Sequence, residues 1–522
     1  MQALQGFGVR FLITMNVTFP KSIDRHYPLI LSFLGAFSAF VVSLFAISGQ
    51  SLWIDEGNSA LKAVAPTWAE FSARMLQYRG SDLQMPGYMT LLWLWQKAWG
   101  PSELALRSLN IPFFCLAVFV VCIALKSSRK VKVLFVIFSC SSPFLWAYLD
   151  EARPYMMQFF SSCLVAVGLL NLCLCTQISF VMRNLLLTVA GMLILLSSSL
   201  STVFFVFFLG LALISILSHS AYLHLISRQI LTQISLLVFL LLGVFLGIYF
   251  YWTLSVGAKA SNVGHTTLFS SFFCIYELFG FLGHGPSRAD LRVSPLVFLQ
   301  TFVWPLSSYA VSLSIFFIFL IWKAVGRKCR FDRRVLIICA ALLLSVISLL
   351  LVGIFAPFRV TGRHLMPVFP FFLLGLAFLT ARAFHQSRSL SIVFLFVYFV
   401  FASTSCFSLR LAFRHSKDDY RSAAQWLLKH TEPGDVVWWA ADFASGRYYK
   451  ILPQHSSTTL LNSPLHIMNP DLSYLRSVPP AKFIALSKLD VYDANGAIQQ
   501  WLKTNSFQQV ASFQSFTIWA HP

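Results

Sequence analysis

Charge is what this sequence has least of. Only 11% of its 522 residues are charged, roughly half the share found in ordinary soluble domains. In contrast, 57% of the residues are hydrophobic, and the mean hydropathy is +0.72. Apolar runs of about 17–25 residues, the length that crosses a roughly 30 Å hydrocarbon core, recur along the chain. The composition therefore excludes a soluble globular protein and predicts a polytopic helical membrane protein.

Acidic residues are scarcer still, with 19 Asp and Glu against 39 Lys and Arg. The basic residues form short clusters between apolar runs, as membrane topology requires, rather than one solvated patch. We therefore do not expect nucleic acid as a partner. The 10 cysteines lie mostly in apolar segments and include no C-x-x-C pair. Buried core residues fit them better than a disulfide framework or a zinc site.

Basic clusters also predict the orientation. "KSSRKVK" (126–132) and "KAVGRKCRFDRR" (323–334) mark cytoplasmic loops, and Arg10, Lys21 and Arg25 predict a cytoplasmic start. No cleavable signal pattern precedes the first apolar run, so we expect this run to remain as an anchor. About eleven spans follow, near 29–48, 107–125, 133–148, 156–175, 184–200, 201–217, 230–252, 296–322, 335–355, 365–381 and 390–408, which leaves the C-terminus outside.

One apolar stretch, 86–99, is predicted not to span. Its 14 residues rise only ~21 Å as a helix, and a crossing here would place 126–132 on the outside. Upstream, Thr67 and Glu70 form a capping box before an apolar stripe, which is typical of a helix lying in the membrane plane. Beyond 409, charged residues return and short strand-like runs (435–442, 482–487 and 516–520) appear. We therefore predict a transmembrane domain over 1–408 and a small external α/β domain over 409–522.

This topology gathers most of the chemically useful residues on the outer face. They are Asp55 and Glu56 after the first span, Asp150, Glu151 and Arg153 after the third, Lys259, His265, Glu277, His284, Arg288, Asp290 and Arg292 in the loop 253–295, and Arg359, Arg363 and His364 before the tenth. Carboxylates can take a proton from a hydroxyl or hold a metal, and arginine binds phosphate with two parallel hydrogen bonds. Acids and arginines together at this depth suit chemistry on a phosphate-bearing lipid.

Simpler interpretations exist for several of these residues. An Asp-Glu pair in a loop is commonly just solvated, and Arg153 could pair with Asp150 or anchor the interface. The side chains of Arg363 and His364 could simply extend to the lipid headgroups at the membrane surface. His265 could be an ordinary loop histidine.

Three stretches together resemble a known family. "WIDEGNSALKA" (53–63), "MPGYMTLLWLWQKAWGPSELALRSLNIPF" (85–113) and "FLWAYLDEARPYMMQFF" (144–160) occur in the order and spacing of the GT-C membrane glycosyltransferases. The sequence resembles most the bacterial galacturonosyltransferase-type (Rgt-like) proteins, which are related to protein O-mannosyltransferases and the lipid A aminoarabinose transferase. "GRHLMPVFPFFL" (362–373) is similar to a later segment of that branch. Where many relatives have His-Pro-Pro, this chain has "QMPGY" and keeps only Pro86.

The resemblance implies an inverting transfer of one sugar from a polyprenyl-phosphate donor to a cell-envelope acceptor: lipopolysaccharide, lipid A, another glycan or protein. It implies a multi-pass protein of the bacterial inner membrane with its site on the periplasmic side. Asp55 would be the base and Glu56 a second residue of the catalytic site. Glu56, Asp150 and Glu151 would shape this site or bind the acceptor or a metal. Arg153 and Arg363 would bind the donor phosphate, with Lys259, His265 and Arg359 as further candidates. No cofactor is predicted firmly, and a divalent metal is left open.

Two other functions compete with this one. A transporter or lipid flippase would need ionisable residues near the middle of its spans, and the apolar runs have almost none. A catalytically silent GT-C scaffold would tolerate loss of the acidic motifs, and both are present.

Overall fold

The computed structural model of the chain describes residues 21–174, 178–218, 230–257, 264–287, 290, 298–325, 332–453 and 464–521. Lys259 lies outside these ranges. The chain forms two compact units. The first consists of Met1–Ile47, Tyr78–Tyr88 and Ser108–Arg414, and the second of Ser48–Gln77, Met89–Arg107 and His415–Pro522. The predicted domain boundary at 408/409 remains a prediction.

Long apolar helices make up most of the first unit. Nine stretches of the described residues are long and apolar enough to cross a membrane: Tyr27–Ala46, Glu103–Ala124, Tyr155–Cys173, Phe180–Ser198, Leu200–Ser218, Leu236–Ser255, Arg333–Phe355, Gly362–Gln386 and Arg388–Leu411. A tenth is added if the bent pair Arg129–Cys140 and Pro143–Leu149 counts as one span. Each of these ten corresponds to one of the eleven predicted spans. The remaining predicted span, 296–322, overlaps the helix Val303–Val325, which is not among the ten.

The third predicted span is broken rather than continuous. Its two helices meet at an angle of 55°. Ser142 caps the second helix by accepting a hydrogen bond from the Leu145 backbone at 3.3 Å, and Pro143 follows at the first helical position. A proline there lacks the N–H that would continue the preceding helix. Local sequence therefore explains the bend.

The chain turns at "SSSLS" (197–201), between the predicted spans 184–200 and 201–217. The helix Ile178–Ser198 ends there, a 3-10 turn covers Leu200–Thr202, and the helix Val203–Ser218 begins. The Ser199 side chain accepts a hydrogen bond from the Ser201 backbone at 3.4 Å. Serine side chains satisfy backbone groups at such turns without a partner from outside.

The first loop is helical, as expected. Its helices are Ile54–Ala63, Trp68–Tyr78, Pro86–Trp99 and Glu103–Ser108, with a 3-10 turn at Gly80–Gln84. Thr67 accepts the Glu70 backbone N–H at 3.2 Å, which is one half of the predicted capping box. Phe71 and Met75 are buried, and they form the inner part of the predicted stripe. Pro86–Trp99 is a separate helix of 14 residues, and its position in the membrane plane remains a prediction.

A small sheet characterises the C-terminal part of the second unit. Its strands are β1 (Val437–Ala440), β2 (Leu465–His466), β3 (Phe483–Ser487), β4 (Gln508–Phe513) and β5 (Phe516–Ala520), in the order β2-β1-β3-β5-β4. β1 pairs in parallel with β2 and β3, whereas β5 is antiparallel to β3 and β4. Every residue of β1 and β3 is buried, which is typical of parallel strands covered on both faces. Five short helices pack with the sheet: Tyr420–His430, Phe443–Tyr448, Leu472–Ser477, Leu489–Tyr492 and Ala497–Thr504.

Candidate active site

The acidic pair of the first loop lies at the start of a short helix, Ile54–Ala63, which we call the acidic helix. Asp55 and Glu56 occupy its first turn and Lys62 its last, so both ends complement the helix dipole. The Glu56 carboxylate also turns back to accept the N–H of Trp53, at 3.4 Å. This is the reciprocal half of a capping box, and it closes the helix start.

Glu56 and Arg107 form a buried ion pair. Arg107 Nε donates to Glu56 Oε1 at 2.8 Å, and Arg107 Nη2 donates to Oε2 at 2.9 Å. The remaining guanidinium N–H groups donate to the carbonyl oxygens of Ser48, Gln50 and Ser51 at 2.7–3.0 Å. All five donors of the guanidinium are thereby used. Arg107 thus joins the acidic helix to the chain that leads into it.

A second cation approaches the same carboxylate. Lys417 Nζ lies 2.9 Å from Glu56 Oε2. Burial by itself raises the pKa of Glu56, but the charges and hydrogen bonds of Arg107 and Lys417 outweigh it and bring that pKa to about 2. Glu56 is therefore ionised and held on both oxygens. This geometry suits a residue that positions the helix better than one that moves a proton.

Asp55 has a different environment. It is only half-buried, on the turn that Glu56 fixes. Asp442 belongs to the same unit, and its pKa is raised by burial and, to a smaller extent, by the nearby negative charge of Asp55. Asn58, one turn beyond Asp55, donates to Asp442 Oδ1 at 3.3 Å. Asp55 is thus the more exposed acid of the pair, and it lies close enough to Asp442 for the two charges to interact.

Close packing brings Asp442 to this helix. Asp442 caps the helix Phe443–Tyr448 by accepting the Ser445 backbone N–H and hydroxyl, each at 2.7 Å. A Cβ at Gly57 would lie 2.1 Å from the Ser445 Oγ. Only glycine at 57 permits this approach of the two helices. Tyr449 adds a further contact by accepting the Leu52 N–H at 2.8 Å.

In the first unit, residues 148–155, which we call the DEARP segment, are held by side chains from elsewhere in that unit. Asn110 donates to the carbonyl oxygens of Leu149 at 3.0 Å and Glu151 at 2.6 Å. Asp150 pairs with Arg410 at 2.9 Å. Asp150 and Glu151 are both buried, so the segment is packed rather than solvated.

Arg153 of the DEARP segment pairs with Asp82. Its Nη1 lies 2.7 Å from Asp82 Oδ1, and its Nη2 donates to the Ser81 hydroxyl at 3.2 Å. Arg153 is 5% exposed. The sequence suggested Asp150 as a structural partner of Arg153; in the structure Arg153 pairs with Asp82 of the first loop, and Asp150 pairs with Arg410.

The second predicted arginine, Arg363, lies on the 3-10 turn Gly362–Val368, which we call the GRH segment. Its side chain is half-buried, whereas Arg359 is exposed. The His364 ring accepts the Thr361 backbone N–H at 3.0 Å. His265 is exposed, and its Nδ1 donates to the Ile354 carbonyl at 3.1 Å, which matches an ordinary loop histidine.

The predicted residues therefore divide between the units. Asp55 and Glu56 belong to the second unit, whereas Asp150, Glu151, Arg153 and Arg363 belong to the first. Sequence reasoning missed five of their partners or neighbours: Asp82, Arg107, Arg410, Lys417 and Asp442. A buried carboxylate requires a cation or donors, but the sequence did not say which distant residue supplies them. Within the part of the chain that is described, no group of three or more His, Cys, Asp and Glu side chains could hold a metal ion.

Comparison with known proteins identifies the fold. No protein-family model and no curated protein matches the chain. ArnT from Cupriavidus metallidurans in the apo state matches with 12% identity and a TM-score of 0.52, over 96% of this chain and 98% of that one. ArnT from the same organism bound to undecaprenyl phosphate matches with 14% identity and a TM-score of 0.52, over 95% and 98%. The predicted GT-C fold, with its small C-terminal sheet, is confirmed, and the chain is a multi-pass membrane protein.

Proposed function

We propose that this protein is an inverting GT-C glycosyltransferase that moves one sugar from a polyprenyl-phosphate donor to a hydroxyl of a cell-envelope acceptor. The observation that supports this most is the fold shared with ArnT over nearly the whole chain, including an ArnT structure bound to undecaprenyl phosphate. The acceptor would be lipopolysaccharide, lipid A, another surface glycan or a protein. The location would be a bacterial inner membrane, with residues 409–522 and the reacting groups on the periplasmic side.

In the proposed reaction, Asp55 takes the proton of the acceptor hydroxyl. The hydroxyl oxygen forms a bond to the anomeric carbon, and the bond from this carbon to the donor phosphate oxygen breaks. The electron pair leaves with the polyprenyl phosphate, whose growing charge is stabilised by Arg153 and Arg363. Asp55 is suited to its role because it is half-buried, whereas the adjacent Glu56 is fully buried and doubly paired.

Glycolipid mass spectrometry tests the proposal. Glycolipids, surface glycans and glycoproteins are extracted and compared for cells with the gene, without it, and with the Asp55→Asn variant. The expected result is a mass difference of one sugar residue that depends on the gene and is lost with the variant. The purified protein should then transfer the same sugar from its polyprenyl-phosphate form. Identical glycolipid, glycan and glycoprotein profiles in all three strains would overturn the proposal.

A further inference from the structure

Glu277 is a buried carboxylate to which the proposed reaction assigns no role. It lies near the end of the helix Leu268–Leu278, in the first unit, and it is 0% exposed. A carboxylate in such a place is retained only where donors compensate for its lost hydration. The Gly362 backbone N–H donates to its Oε2 at 2.6 Å, and the Tyr148 hydroxyl donates to its Oε1 at 3.3 Å.

These two donors belong to different site segments. Gly362 begins the GRH segment and directly precedes Arg363, whereas Tyr148 begins the DEARP segment, which contains Arg153. One carboxylate therefore connects the two stretches that contain the predicted phosphate arginines. The two segments are more than two hundred residues apart in the chain, so no local structure fixes their spacing.

Gly362 provides independent evidence for the same contact. A Cβ at this position would lie 2.4 Å from Glu277 Oε2 and 2.7 Å from Glu277 Cβ. Both distances are shorter than real carbon contacts allow, so any larger residue at 362 would force the GRH segment and Glu277 apart. The close approach thus depends on glycine on one side and on the carboxylate on the other.

We propose that Glu277 is a positioning residue that fixes the GRH segment against the DEARP segment and so presents Arg363 to the donor phosphate. This inference rests on the proposed function. Its effect would be on placement, since Glu277 itself is buried and is not expected to touch the substrate. Misplacing a substrate-binding group by about 1 Å costs up to roughly 100-fold in rate.

The first test measures binding of undecaprenyl phosphate to the purified full-length protein in detergent. Arg363→Ala, Glu277→Ala and Gly362→Ala are compared with wild type, and the exposed Glu432→Gln serves as the control. We expect the three site variants to weaken binding by about 10- to 100-fold and the control to bind normally. Glu277→Gln keeps the acceptor oxygen and should retain part of the affinity. Wild-type affinity in folded Glu277→Ala and Gly362→Ala would overturn the inference.

A double-mutant cycle separates positioning from general stability. If Glu277 acts through Arg363, removing both should weaken binding little more than removing Arg363 alone. The inference would be overturned if the fold-losses in affinity of the two single variants simply multiply in the double variant. It would also be overturned if the Glu277 variants have a lower thermal midpoint but unchanged affinity, because Glu277 would then have a purely structural role. The transfer assay tests the proposed reaction separately. If the wild-type protein transfers no sugar, the proposed reaction is refuted. If the Glu277 variants show normal transfer and normal affinity, only this inference is refuted.

Discussion

The Glu56 carboxylate and the Arg107 guanidinium form two parallel hydrogen bonds, 2.8 and 2.9 Å long, with no exposed surface on either side chain. Such a pair compensates two charges that would each be costly to bury alone. Because Arg107 also binds the carbonyl oxygens of residues 48, 50 and 51, the pair fixes the entry to the acidic helix. Its main effect should therefore be on stability and on the placement of Asp55.

Glu56→Gln should destabilise the protein strongly. The substitution leaves Arg107 and Lys417 without their counter-charge, and breaking a buried pair costs about 3–5 kcal/mol. Thermal unfolding of the purified protein in detergent measures this. Asp435→Asn, which removes the exposed pair with Lys482, is the matched control and should change the midpoint little. A midpoint for Glu56→Gln equal to the control would contradict the role of Glu56.

The same pair predicts how stability depends on pH. The pKa of Glu56 falls from 4.5 to about 2 in the folded protein, so the unfolded chain takes up its proton first as the pH falls. The resulting stabilisation, on the order of 3 kcal/mol, is complete above pH ~5 and disappears between pH ~4.5 and ~2. Wild type should lose thermal stability across this window, and Glu56→Gln should lack that contribution. If thermal stability depends on pH in the same way in wild type and in Glu56→Gln, the lowered pKa of Glu56 does not contribute to stability as predicted.

Asp55→Asn should abolish transfer while the protein remains folded. Asparagine has nearly the same shape but cannot accept the hydroxyl proton, and losing a general base costs about 10²- to 10⁴-fold in rate. The experiment is a transfer assay with purified protein, with a thermal melt for each variant. Wild-type turnover by Asp55→Asn would remove this residue from the site. The comparison also separates an active enzyme from a silent scaffold.

Long apolar runs allowed most of the fold to be predicted, because a bilayer leaves few solutions for such segments. The central strands of the sheet could also be predicted, since β1 and β3 are almost continuous apolar runs. β4 (Gln508–Phe513) was missed because it is a mostly exposed strand at the end of the sheet, with little apolar signal. The bend at Ser142 and Pro143 was missed because hydropathy treats 133–148 as one run.

The candidate site could be predicted only as a set of residue types. Asp55 and Arg153 were identifiable because few charged residues occur next to apolar runs. Their partners were not, because the contact between Arg153 and Asp82 joins residues 71 positions apart, and that between Asp150 and Arg410 joins residues 260 apart. Such pairs depend on how helices pack, and a single sequence does not contain that information.

Cysteine labelling tests the position of the helix Pro86–Trp99. Ser102 follows this helix and is exposed, so Ser102→Cys can be labelled without disturbing a buried contact. In a background without reactive native cysteines, an impermeant thiol reagent should label intact spheroplasts if this helix stays on the outer side. A cysteine placed at Ser128, in the predicted cytoplasmic loop, should react only after permeabilisation. The reverse pattern would contradict the predicted orientation of the loop.

Arg153 and Arg363 should both contribute to donor binding, but with different secondary effects. A guanidinium keeps its charge in a partly dry site and offers two parallel donors to phosphate. Each contact should strengthen as the phosphate leaves, so alanine at either position should lower kcat as well as raise the donor KM. Lysine at either position should restore only part of the lost kcat and donor affinity, because it keeps the positive charge but lacks the two parallel donors of the guanidinium. Arg153→Ala should also lower thermal stability, because it removes the ion pair between Arg153 and the buried Asp82.

Asp82→Asn distinguishes a phosphate role for Arg153 from a purely structural one. If Arg153 only holds the loop through Asp82, then Asp82→Asn and Arg153→Ala should lose similar stability and keep a normal donor KM. If Arg153 binds phosphate, Asp82→Asn should lose stability alone, while Arg153→Ala also raises the donor KM. Steady-state kinetics over a range of donor lipid, with a melt for each variant, decides between them. A normal KM and kcat in either alanine variant would remove that arginine from the site, because its guanidinium would then make no contact that the transition state requires.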